Sequence, residues 1–182
     1  MVSPMAEIDR PVVRPRSETA GAKAAPRLND KMRTERDMND LERMAALEEI
    51  RQLKAKYFYH LDHKDWDGWK ADVFAADAIM EVPEVGARIE GRDAIIEFVN
   101  GSIEGVKTIH HGHMPIIEFL PDGTAKGIWA MEDILFWPPN RFPGLEGRVH
   151  GYGHYHETYR REPEGWRITS LKLTRLHLGT MP

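Results

Sequence analysis

Residues 151–178 read GYGHYHETYRREPEGWRITSLKLTRLHL. The stretch divides at Glu162-Pro163-Glu164-Gly165, a turn between two candidate strands, 148–161 and 166–178. Residues two apart on a strand share a face. Gly151, Gly153, Tyr155, Glu157 and Tyr159 therefore fall on one side, and Tyr152, His154, His156 and Thr158 on the other. On the second strand Leu171, Leu173 and Arg175 alternate together, so a core beneath the leucines would also receive Arg175.

Upstream, 125–137 (AKGIWAMEDILFW) and 106–120 read as two further strands joined by the turn Pro121-Asp122-Gly123-Thr124. The proline-rich stretch 138–147 between strands reads as a loop. Before the strands the period changes. Leu41, Met44, Leu47, Ile50, Leu53, Tyr57 and Leu61 recur at three or four, which predicts an amphipathic helix. Asp65 is placed to cap a short second helix ending before Ala75; 78–82 reads as a short strand and 91–105 as a third helix. Helices first and long antiparallel strands afterwards predict an α+β domain.

Composition bounds the function. A chain of 182 residues fits one domain. It has no cysteine, which excludes disulfides, thiolate ligands and a cysteine nucleophile. A net charge of −4 with mixed signs gives no electrostatic case for nucleic acid or an anionic membrane. No apolar run approaches a membrane span and no N-terminal signal core is present, so a soluble, cytoplasmic protein is expected. Residues 1–40 hold four prolines, many charges and no aromatic residue; they read as a flexible arm before a domain at 41–182.

The order of several stretches is more specific. YFYHLDHKDWDGWKADVFAADA, GRDAIIEFV, TIHHGHMPIIEF, TAKGIWAMEDIL, GHYHETYRREPEGWRI and LKLTRL follow one another between residues 57 and 176. Together they resemble the SnoaL-like branch of the nuclear transport factor 2-like superfamily, over about residues 45–178. The resemblance implies a conical α+β barrel: a curved antiparallel sheet packed on three N-terminal helices, with a pocket between them. It implies a cofactor-independent lyase or isomerase, of dehydratase or elimination type, acting on a small apolar, aromatic or polycyclic substrate. It also implies a homodimer or homotrimer. Because the family includes non-catalytic binding modules and oxygenase subunits, the fold alone does not fix the function.

Carried over residue by residue, the resemblance points to Asp62 and His110. A carboxylate bonded to one imidazole nitrogen fixes the tautomer and raises the basicity of the other, so the pair could remove a proton from carbon. Tyr59 lies one turn before Asp62 and would join them as a catalytic group. Tyr57 stands where relatives carry a pocket lysine. The expected substrate-binding set is Tyr57, Trp129, Met131, Tyr155, Glu157, Leu171, Leu173 and Arg175. Phe136, Trp137 and Phe142 would add apolar surface, with 138–147 as a lid.

If His110 faces inward, His111 and His113 face outward, unless a bulge resets the alternation. The resemblance implies that the face of Gly153, Tyr155, Glu157 and Tyr159 looks inward, which turns His154 and His156 outward. An outward face suits an interface between copies. A competing metal reading exists. His111-x-His113 followed by Glu118 resembles the first metal motif of cupins, whose donors suit iron, manganese or zinc. The second motif is poorly met by Leu145, Gly147 and His150, and no metal or other cofactor is expected.

Overall fold

A computed structural model describes residues 38–139 and 147–180. The arm expected at 1–40 lies outside these except for its last three residues, and Met38 already packs on the core. The first helix, α1 (Asp40–His63), starts in a capping box: Asn39 accepts from the Glu42 amide, and the Glu42 carboxylate accepts from the Asn39 amide, both at 2.9 Å. Its buried stripe runs through Ala46, Ile50, Leu53, Lys54, Tyr57 and Leu61. Leu41 and Met44, expected on that stripe, are exposed, so the buried face begins a turn later than the periodicity suggests. The helix stops at Lys64, whose left-handed φ of 58° turns its amide back onto the carbonyls of His60 and Leu61.

Asp65 then caps α2 (Trp66–Asp72) by accepting from the Gly68 amide. The chain continues through β1 (Phe74–Val82), a single 3₁₀ turn, β2 (Ala87–Glu90), α3 (Arg92–Ile103), β3 (Lys107–Phe119), β4 (Ala125–Trp137), β5 (Gly147–Glu162) and β6 (Gly165–Thr180). The three helices pack on a single curved six-stranded sheet of order β2-β1-β6-β5-β4-β3. Ile50, Tyr57, Trp69, Phe74, Ile95, Trp129, Tyr155, Ile168 and Leu171 form the core between helices and sheet.

Three features depart from the sequence-based expectation. The sheet is mixed, because β1 pairs parallel to β6 while the other ladders are antiparallel. A parallel neighbour needs a long crossover, and everything from β2 to β5 supplies it. The sheet is open, since β2 and β3 are its two edges and do not pair with each other. The strand expected at 78–82 starts at Phe74, and the four-residue β2 was too short to predict.

Alternation is kept where the site forms. On β4, Ala125, Gly127, Trp129, Met131, Asp133 and Leu135 are buried in turn. On β5, Gly151, Gly153, Tyr155, Glu157 and Tyr159 do the same, while Val149, His150 and Gly151 are buried in succession. The β3 ladder slips between Gly112 and Pro115, after His110 and His111 and around His113, so the parity of residues 108–112 survives.

Candidate active site

The C-terminal end of α1 brings Asp62 against the start of β3. His110 Nδ1 lies 2.6 Å from Asp62 Oδ1, and the His110 amide donates to Oδ2 at 2.9 Å. The Thr108 hydroxyl donates to Oδ1 at 2.9 Å, from the same strand face. A carboxylate can only accept from these groups, so Nδ1 carries the proton and the neutral ring has its lone pair on Nε2. Burial pushes the Asp62 carboxyl up, but the hydrogen bonds and charge of His110, with Thr108, hold it below the usual carboxylate range. The His110 side chain is only 8% exposed and stacks on Phe58, with centroids 6.5 Å apart and planes 14° apart. The arrangement can take a proton at Nε2.

Opposite His110 in the β3–β4 register stands Asp133. It is buried and holds Arg175 through two hydrogen bonds, 2.9 and 2.6 Å, while Arg175 Nε reaches Glu84 at 3.2 Å. Gly151 makes room, since any β-carbon there would strike both partners. Arg175 does face inward with the leucines, but its charge is already met by Asp133 and Glu84.

A second polar group lies deeper. Lys54 is buried and 2.5 Å from Glu157, and its ammonium sits 3.9 Å from the Tyr57 ring centroid and 3.8 Å from that of Tyr155. Tyr159 donates to the other Glu157 oxygen at 2.5 Å, and Trp129 Nε1 donates to Tyr159 at 2.7 Å. Burial lowers the Lys54 pKa, with Glu157 opposing. Burial raises the phenols of Tyr57, Tyr155 and Tyr159, which therefore stay protonated donors.

The expected binding residues Tyr57, Trp129, Met131, Tyr155, Glu157 and Leu171 are all buried on the inner face, with Leu173 partly buried beside them. Tyr59 is not brought to the site: it is 60% exposed and stacks on His63. It follows Tyr57 by two residues, about 200° around a helix, so burying Tyr57 turns Tyr59 outward. Phe136 is 40% exposed, and Phe142 with 140–146 lies outside the described residues. Thr108, Asp133, Lys54 and Lys64 were missed. The first two share strand faces with His110 and Met131, so alternation could have found them; Lys54 shares a helical face with Tyr57 and Leu61, but a lysine there was not read as buried.

His111 and His113 lie outside, with Nδ1 and Nε2 respectively 3.7 and 4.0 Å from Glu132. Glu132 also meets His150 at 2.5 Å. His156 bonds Thr174 at 3.0 Å on the same outer side. Glu118 instead pairs in register with Lys126 beyond the bulge, apart from the two histidines that a cupin-like motif would join to it. Among the described residues no group of three such side chains is arranged to hold a metal ion, and no helix is long and apolar enough to cross a membrane.

A family model for the SnoaL-like domain matches residues 42–172. The chain belongs to the SnoaL-like family. Solved structures similar to this SnoaL-like chain include a type 2 hexachlorocyclohexane dehydrochlorinase (17% identity, 79% of this chain and 94% of that one, TM-score 0.69). A protein of unknown function from Mycobacterium tuberculosis is 24% identical over 76% of each chain, with a TM-score of 0.63. A candidate scytalone dehydratase from Novosphingobium aromaticivorans is 23% identical over 78% of this chain and 89% of that one, with a TM-score of 0.61. At these identities the likeness is one of fold.

Proposed function

We propose that this SnoaL-like chain is a cofactor-independent lyase or isomerase of the elimination type. The observation that carries the reading is the 2.6 Å contact of His110 Nδ1 with Asp62, which leaves Nε2 as the acceptor. In the proposed step Nε2 takes a proton from a substrate carbon. The electron pair of that C–H bond forms a double bond, and a leaving group departs from the neighbouring carbon or charge moves onto a conjugated oxygen. Asp62 holds the ring and stabilises the imidazolium without itself taking the proton. Phe58, which stacks on His110, and Tyr155, which packs on Phe58, give the surroundings of the dyad an aromatic character that suits a small apolar, aromatic or polycyclic substrate. The dehydrochlorinase and dehydratase names among the similar structures are consistent with this class of chemistry.

General acid–base help of this kind is worth about 10²–10⁴-fold. His110→Ala is therefore expected to lose activity by roughly that factor in an elimination assay over a panel of aromatic and halogenated substrates, with the fold intact by circular dichroism. An unchanged kcat would remove His110 from the chemistry.

The outer sheet face supports self-association as a homodimer or homotrimer. Met114 and Ile116 stand 90% and 72% exposed there, near the outer histidines. Such large apolar side chains favour an interface over open solvent.

A further inference from the structure

The dyad has a third layer. Lys64, the left-handed residue that ends α1, donates from Nζ to the Thr108 hydroxyl at 2.6 Å and to the Leu61 carbonyl at 3.2 Å. A hydroxyl has one proton. With Lys64 occupying a lone pair, the Thr108 proton is directed to Asp62 Oδ1. Asp62 is thus held by three donors from β3, one of which is itself held by Lys64. We propose that Lys64 is a positioning residue for the dyad: through Thr108 it locks the Asp62 carboxylate onto the His110 ring, and its ammonium offsets the negative charge that the ring senses.

The inference rests on the reading of His110 as a base, and explains how that base is kept available. A lone carboxylate stabilises the protonated imidazole and so keeps the base occupied. A cation on the far side of the carboxylate weakens that hold. The other charged groups around the ring are already compensated. Asp133 on β4 is paired with Arg175 on β6, which also meets Glu84, and Lys54 on α1 is paired with Glu157 on β5. Phe58, which covers the ring, is neutral. Lys64 senses Asp62 as its charged neighbour, while burial acts against its own charge.

The test is an NMR titration of the full chain with labelled histidine and no substrate. Lys64→Met is expected to raise the pH at which the His110 ring is half protonated, because the lost ammonium outweighs the loosened Thr108 contact, by less than the roughly 1–3 units of a charge in direct contact. Lys64→Gln keeps a donor to Thr108 but removes the charge; it is expected to move the same way, and it carries the test if Lys64→Met fails to fold. Lys64→Arg is expected to restore the wild-type value. A midpoint unchanged in the Met and Gln variants, while Asp62→Asn moves it, would overturn the proposal. The readout needs no activity, so it separates two failures. An unmoved midpoint with an inactive His110→Ala removes Lys64 alone; a moved midpoint with a fully active His110→Ala removes the base and keeps Lys64's control of the ring. In the active enzyme, the acid limb of kcat/KM is expected to move with the midpoint.

Discussion

Asp62 shows how a single residue couples the site to stability. Its carboxyl lies below the usual range when folded, despite the burial that pushes it up. A depressed carboxyl contributes stability that is present above the unfolded value, about 3.9, and is lost as pH falls through the folded value. Denaturant unfolding from pH 7 down to pH 2 is therefore expected to show wild type losing stability faster than Asp62→Asn below about pH 4, with the gap between them closing in acid. Parallel curves would mean that the Asp62 contacts carry no net linkage. The buried Lys54 obeys a different rule. With one close carboxylate and three rings around it, those of Tyr57, Phe58 and Tyr155, its ammonium is supported by partners that no local pattern announced.

Among the elements, β3 carries the most information. Thr108, His110 and Gly112 point inward, and the register slip falls only after Gly112. Had the slip come two residues earlier, alternation beyond it would have been reset. Gly112 also sets how closely the helix approaches the strand: a β-carbon there would lie 2.6 Å from the Phe58 ring that covers His110. Gly112→Ala is expected to cost about 1 kcal/mol in chemical denaturation, the low end of the range for overpacking, because the ring it strikes is only partly buried. It should also disturb the NMR signals of His110, because Phe58 must move. A neutral result in both measurements would show that the approach is looser than these distances imply. In α1 the apolar period located the helix but not the start of its buried face, since Leu41 and Met44 are exposed and burial begins at Ala46.

For the whole molecule, the order of strands decides what the outer face offers. Because β3, β4 and β5 are neighbours, His111, His113, Glu132 and His150 come together from three strands, with Met114 and Ile116 nearby. If copies associate through this face, Met114→Lys is expected to shift the mass measured by light scattering after size exclusion toward the monomer. An oligomer insensitive to Met114→Lys would place the interface elsewhere.

The sequence by itself determined the α+β class, the three helices, the four long strands and the family, because each rests on a local period or on motifs in order. It also paired Asp62 with His110, through the resemblance, and split the histidines between two strand faces through alternation, with the resemblance naming the inner face. Only the tertiary structure decided the parallel β1–β6 pairing and the engagement of Arg175 by Asp133. It also gathered Lys64, Thr108 and Asp62 into one network. These depend on contacts between residues 40 or more positions apart, such as Thr108 with Asp62 and Arg175 with Asp133. A local pattern shows which face a residue takes; which distant partner meets it there is set by the packing of the whole chain.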